Sequence, residues 1–294
     1  MMKRYTIYAL FCLSATLITS CASGCAILSS SKAFSQKLPR EAFVQVRQAV
    51  RLEACGFDMR TKEKKCQKVT MRSVSSGAYV FRSEVEEDIA YVLTAGHSCT
   101  NKSPKEQTVN GIKIKNLGSS FKVVDLDGSE HKGEVVSIKT RYDLCLLKVH
   151  NVLNKPPVLR LAPKAPQIGE VVTNMAAPHG LYWPNAVLIF KGVFSGYHVR
   201  GYSMYTIPTK PGSSGSPILN KENQLVGVIF AGYPTIESVG LSSPWVAVKI
   251  FLKKSIASGE MKLWKERASL KKDTTIIRSL EKEMKIKLDK VFDN

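Results

Sequence analysis

The sequence predicts a mainly β chain with helix confined to its C-terminal end, and three observations carry that prediction. From Phe43 onward, apolar and polar residues alternate in short runs divided by turn residues, the pattern of half-buried strands. The length, 294 residues, suits one double-barrel β domain or two compact domains, and is ample for a buried core. Near the end the pattern changes: Ile277, Leu280, Met284, Leu288 and Val291 recur at spacings of three and four, an amphipathic helix with Asp273 as its N-cap. A hydrophobic content of 44% with 23% charged residues excludes a disordered chain and a multi-pass membrane protein. Formal net charge is +19, spread along the chain instead of gathered in one tail. Such a field favours anionic surfaces, phospholipid headgroups among them. No helix-turn-helix, zinc-finger or aromatic-basic motif accompanies it, so no nucleic-acid partner is assigned.

Residues 1–20 open with Lys3 and Arg4, continue through an apolar run from Tyr5 to Thr19, and read as a signal peptide. Ile18-Thr19-Ser20-Cys21 looks like a bacterial lipobox, which implies a lipidated Cys21 as the mature N-terminus and an exported chain anchored in the cell envelope, facing the periplasm. Two readings stand beside it: a poorer lipobox at Cys25, and plain cleavage after Ala33-Phe34-Ser35 giving a soluble secreted protein. Residues 21–40, rich in Ser and Lys, make a linker.

Strands follow around Val44, Val50, Val69 and Gly77–Phe81. Cys55 and Cys66 bracket a charged turn between two of them, where a disulfide staples a hairpin in an exported protein. An apolar run, Ile89 to Leu93, leads into Thr94-Ala95-Gly96-His97. Further strands are expected at Phe121–Asp125 and Glu134–Lys139, and Asp143 heads the apolar run Leu144–Val149. Beyond them, strands are expected at Ala186–Phe190, Lys191–Val199, Tyr202–Ile207 and Leu225–Phe230, then a closing helix from Val246 to Ile256. The turn Gly212-Ser213-Ser214-Gly215-Ser216-Pro217 presents a serine between glycines, which permit a tight loop and a close approach of a substrate carbonyl. His131, His150, His179 and His198 have no such setting and read as structural.

These pieces together resemble the trypsin-like serine proteases. Thr-Ala-Gly-His is similar to the segment carrying the family's base, Asp-Leu-Cys-Leu-Leu to the one carrying its acid, and Gly-Ser-Ser-Gly-Ser-Pro to its nucleophile loop, with Ser216 replacing a glycine. His97, Asp143 and Ser214 lie in the chymotrypsin order, 46 and 71 residues apart, against about 45 and about 93 in chymotrypsin. Gln167–Val172 and Ala177–Leu181 resemble the opening of the second barrel of compact bacterial high-temperature-requirement proteases. The resemblance, covering roughly residues 70–255, implies two six-stranded antiparallel β-barrels of the chymotrypsin fold with a C-terminal helical extension. It divides the chain into an N-terminal barrel over 41–155, a C-terminal barrel and closing helix over 156–257, and a basic helical extension over 258–294.

It also implies a serine endopeptidase with His97, Asp143 and Ser214 as its triad, and the backbone N–H groups of Gly212 and Ser214 as its oxyanion hole. No metal or cofactor is called for. Phe230, Ala231 and Gly232 would pair with an extended peptide substrate, while Pro208 and Thr209 line the specificity pocket. Gly232 and Gly240 are expected to leave that pocket open, and the absence of an acid at Pro208 points to an uncharged, apolar or small residue before the scissile bond. Asp125 and Asp127 are expected to be replaceable without loss of activity. Cys99 follows the base where relatives carry a cysteine, but its usual partner position holds Ser75 and Ser76. If Asp143 bonds His97, Cys99 and Cys145 come close enough for a bridge provided their Cβ vectors face each other; the alternative reading is two buried thiols acting as small hydrophobes. Two rival functions remain: a catalytically inactive trypsin-fold binding module, and a basic envelope lipoprotein whose surface is its function.

Overall fold

The structure, a computed structural model, describes residues 37–57, 60–61, 63–100, 106–271 and the single positions 286, 289 and 292. The signal peptide, the lipobox at Cys21 and most of the C-terminal amphipathic pattern lie outside the described residues.

The first barrel is built from β1 (Phe43–Phe57), β2 (Lys64–Arg82), β3 (Ala90–Ala95), β4 (Glu106–Val109), β5 (Ile112–Asp125), β6 (Glu130–Lys139) and β7 (Leu144–Val149). Strand order is β1-β2-β3-β7-β6-β5-β4, and the pairing of β1 with β5 closes six of them, leaving β4 attached outside. The second barrel, β10-β13-β12-β11-β8-β9, comprises β8 (Val171–Ala176), β9 (Leu188–Tyr197), β10 (Ser203–Tyr205), β11 (Pro217–Leu219), β12 (Leu225–Tyr233) and β13 (Ile236–Ser243). A helix, α1 (Trp245–Lys271), follows. This is the two-barrel, mainly β architecture of the chymotrypsin fold with a helix at its C-terminal end.

Strands β3 and β7 show why the sequence reads there as unbroken apolar runs. Val92, Cys145, Leu147 and Val149 point into the first barrel, with Val44, Val46 and Phe121. Their neighbours Tyr91, Leu93, Leu144 and Leu146 point the other way, into a second cluster shared with Met175, Leu219 and Val228 of the second barrel and with Val248, Phe251 and Ile256 of α1. Both faces of these strands are buried, so alternation disappears. The second barrel encloses its own cluster around Phe194, Tyr205, Ile207, Ile218 and Ile229.

Several expectations change. The two strands expected at Ala186–Phe190 and Lys191–Val199 are one, β9. Strands β4 and β13 were not expected at all. The closing helix expected to stop at Ile256 runs on through Ser258-Gly259 to Lys271, so the boundary placed between 257 and 258 falls inside a helix. Gly259 marks a close approach instead of a stop: a Cβ there would sit 2.8 Å from a ring carbon of Tyr91. Phe292 is 7% exposed within the cluster that holds α1, and Asp289 pairs with Lys253 of α1 at 2.8 Å.

Strands β1 and β2 overrun the barrel. β2 pairs with β3 only over Gly77–Arg82, so Lys64–Val74 stands beyond it, bonded on one side to β1. β5 extends with them, from Ile112, and carries β4. The result is a four-stranded wing, β2-β1-β5-β4, with Cys55 bonded to Cys66 directly across its strands, as expected.

Candidate active site

Strands β3 and β7 are antiparallel neighbours with Ala95 opposite Leu144, so the turn after β3 and the residue before β7 meet. His97 lies in that turn, and Asp143 is the residue before β7. Asp143 adopts the left-handed conformation, φ 52° and ψ 51°, which Asp tolerates better than most residues. Its Oδ1 accepts the backbone N–H of His97 at 2.6 Å and its Oδ2 contacts Nδ1 of the imidazole at 2.6 Å. An ionised carboxylate only accepts, so Nδ1 carries the proton and Nε2 is left as the basic nitrogen. Gly96 donates its N–H to the Asp143 carbonyl at 2.8 Å, and a Cβ at Gly96 would lie 2.8 Å from Asp143 Oδ1. Cys99 is bonded to Cys145, with Cα atoms 6.3 Å apart, fastening the base turn to the strand behind the acid.

The second barrel brings Ser214 to this pair. Ser76, completely buried in β2, gives its N–H to Ser214 O at 2.8 Å and its hydroxyl to Gly212 O at 2.8 Å. Its own carbonyl accepts the Thr94 hydroxyl at 2.7 Å, three residues before His97. Ser76 thus ties the nucleophile turn to the base strand through hydrogen bonds. Gly215 is held at φ +86°, and a Cβ there would run into Ser76 O and Thr94 Oγ1 and lie 2.9 Å from Ala95 N. No side chain fits between nucleophile turn and base strand. Ser216, where relatives have glycine, accepts the Asn174 amide at 2.8 Å, and the same amide reaches Pro217 O at 2.9 Å.

Within the turn, Ser213 and Gly215 donate to Lys210 O at 2.9 Å and Ile229 O at 2.7 Å. Among the described residues, the N–H groups of Gly212 and Ser214 donate to nothing. Ser214 Oγ donates to Phe230 O at 3.3 Å, and His97 Nε2 receives no hydrogen bond among the described residues. The structure therefore joins His97 to Asp143 but leaves the Ser214 hydroxyl turned toward β12.

The pocket expected to stand open is not empty space. A Cβ on Gly232 would overlap Thr209 Oγ1, and one on Gly240 would lie 3.0 Å from Thr209 Cγ2. Thr209 occupies the space beside Gly232 and shares that beside Gly240 with Ile229 and Ile207, and its hydroxyl is buried without a hydrogen-bond partner among the described residues. Beside it Phe230 packs edge-on against Tyr202, ring centroids 5.0 Å apart.

Sequence reading missed Ser76, Asn174 and the filling role of Thr209. Asn174 carried a usable signal, a lone amide in the apolar run Val171–Ala177, because a buried polar group needs partners. Ser76 carried none.

The chain belongs to the trypsin-like peptidase domain family, whose model matches residues 75–228, just over half of it. In structure it is similar to the serine endoprotease from Yersinia pestis, at 19% identity and a TM-score of 0.52, over 75% of this chain and 64% of that one. The chain thus spans less than two thirds of that neighbour's length, and the likeness speaks to the fold. No curated protein matches the chain.

Proposed function

We propose that the chain is an exported serine endopeptidase that cleaves extended peptides through His97, Asp143 and Ser214 and an acyl-enzyme. The observation that carries this reading is the His97–Asp143 pair, held by two 2.6 Å contacts beside a nucleophile turn whose Gly215 admits no side chain. Ser214 rotates from Phe230 O to His97 Nε2, gives up its proton there and attacks the substrate carbonyl. The Gly212 and Ser214 N–H groups receive the oxyanion, each worth on the order of a hundredfold or more. Protonated His97, steadied by Asp143, then returns the proton to the leaving amine, and water releases the acyl group by the same route. Substrate backbone pairs along Phe230–Gly232, and Thr209, with Pro208 beneath, limits the residue before the scissile bond to a small uncharged side chain while its hydroxyl awaits a partner.

Labelling with a fluorophosphonate tests the nucleophile: parent protein should be modified on Ser214, and Ser214→Ala should lose both labelling and on the order of a millionfold in peptide hydrolysis. Equal digestion of a peptide library by that variant would refute the assignment. One observation favours a second reading, an inactive binding module: the Ser214 hydroxyl bonds Phe230 O and not the base. Absence of labelling in the folded parent protein would select it.

Lipidation of Cys21 would hold the enzyme on the bacterial cell envelope, facing the periplasm, supported by the apolar run that ends at the lipobox. Cys21→Ser should release the protein from membrane fractions. An intact mass showing an unmodified chain cut after Ser35 would overturn the anchor.

A further inference from the structure

The wing has two faces of opposite character. Residues paired across neighbouring strands share a face, so the register puts Val50, Leu52, Val69, Met71, Ile112 and Ile114 on one side. Arg51, Lys64, Lys68, Arg72, Lys113 and Lys115 lie on the other, with two acids among them, Glu53 and the Glu106 that pairs with Lys113. The apolar side is uncovered: Met71 is 58% exposed, and Val69 and Ile112 are each 44% exposed. Both hairpin tips point the same way, since Cys55 pairs with Lys113, and a Cβ on Gly56 would lie 3.6 Å from Ile112. That common end displays Phe57, 70% exposed and on the face of Lys64, and on the apolar face Val109 and Ile112, which flank the Asn110-Gly111 turn. Residues 51–72 hold seven basic and three acidic residues, a denser excess than the chain as a whole carries.

We propose that this wing is a docking surface for an anionic phospholipid bilayer. Apolar side chains at the tip and on one face enter the boundary between headgroups and acyl chains, while the lysines and arginines of the other face reach phosphates with their stems laid along the apolar layer. Charge complementarity selects the occupant, because the apolar face carries no acid and its polar residues are Lys65, Gln67, Ser73, Gln107, Asn116 and Ser119. A second copy of the chain fits less well. The exposed apolar side chains offer on the order of a few hundred Å², short of the roughly 800 Å² per partner that a stable dimer buries. Depth is limited by β2, whose outer edge over Lys64–Arg72 pairs with no strand among the described residues. Its peptide groups need water, so the wing rests in the headgroup region and does not span.

This surface is independent of the peptidase reading, and Ser214→Ala should keep it. The test is co-sedimentation of the full-length protein with vesicles of phosphatidylcholine and with vesicles of equal parts phosphatidylcholine and phosphatidylglycerol. An N-terminal lipid would bind both, so the ratio of the two partition constants reads the basic surface alone, and the substitutions assign it to the wing. Parent protein should prefer the anionic vesicles at least tenfold, and Lys64→Gln and Lys68→Gln should each reduce that preference about fivefold. Phe57→Ser and Met71→Ser should weaken binding to anionic vesicles while leaving the circular dichroism unchanged. Equal partition of the parent between the vesicles, or a preference unmoved by the four substitutions, overturns the proposal. So does a dimer in light scattering that Phe57→Ser or Met71→Ser converts to monomer.

Discussion

The first barrel contains two histidine–aspartate pairs, and their surroundings differ more than their chemistry. His97 and Asp143 meet at 2.6 Å where side chains are 35% and 23% exposed, and the far nitrogen of the imidazole bonds nothing among the described residues. His131 and Asp125 meet at 3.1 Å where side chains are 9% and 4% exposed. Asp125 also accepts the Tyr79 hydroxyl at 2.7 Å and the Asn154 amide at 3.0 Å, and the Tyr182 hydroxyl bonds its carbonyl. The second pair is saturated and enclosed, and it joins β2, β5, β6 and the connection between barrels. The first leaves the far imidazole nitrogen unused among the described residues. What separates the two pairs is spare hydrogen-bonding capacity and exposure.

Asp143→Asn should be the sharpest test of that distinction. It should lower kcat/KM by on the order of ten thousandfold by leaving His97 in the wrong tautomer, with little change in thermal stability. Asp125→Ala should do the reverse, costing about 3–5 kcal/mol of stability because it strips a buried cluster of its acceptor, while folded molecules keep their turnover. Asp125 would then be replaceable for chemistry, as the sequence leads one to expect, but not for folding. Matched kinetics and denaturant melts of both variants check this. A folded Asp143→Asn enzyme with parental activity would end the comparison.

The two disulfides extend the contrast from hydrogen bonds to covalent bonds. In the chain-entropy picture, Cys99–Cys145 closes a 46-residue separation and should contribute about 4 kcal/mol, and Cys55–Cys66 closes an 11-residue separation for about 3 kcal/mol. Only the first touches the site. Replacing Cys99 and Cys145 by Ala should lower both melting temperature and turnover, since base turn and acid strand are no longer fastened. Replacing Cys55 and Cys66 should leave turnover of small peptides unchanged. Steady-state kinetics on both double variants decides it, and equal losses of turnover would show that the wing supports the site after all.

Legibility followed the same division. The motifs around His97, Asp143 and Ser214 could be read because each sits at a strand end or turn with a recognisable neighbour pattern, and the structure brings His97 and Asp143 together. The hairpin disulfide was legible from two cysteines bracketing one turn. Strand β13 was not, because Ser242 and Ser243 are wholly buried and bonded to backbone, so its inward positions look like a loop. The length of the wing was hidden by Lys64–Arg72, whose charges mask the alternation of an exposed strand. Thr209 could not have been found, because a glycine in a sequence does not say which neighbour occupies the space it leaves.

Glu260 supplies the smallest effect and the subtlest test. Like Asp125 it is buried, 1% exposed, and both its oxygens are used: one accepts the Tyr91 hydroxyl at 2.8 Å, the other the Glu84 N–H at 3.0 Å. Unlike Asp125 it has no imidazole beside it, and burial pushes its carboxyl above the ordinary range, against the lowering effect of those bonds. The folded state then holds a proton that the unfolded chain has already released. Stability attributable to this group is greatest below the unfolded carboxylate range and falls as pH rises through the raised folded value, staying low above it. Glu260→Gln removes the titration while keeping an amide in place. Its stability relative to the parent should therefore improve from acid toward neutral pH and then level off, a change measured by denaturant melts at a series of pH values. A gap between variant and parent that stays constant with pH would show that burial does not raise the Glu260 carboxyl, and that its two hydrogen bonds alone describe its contribution.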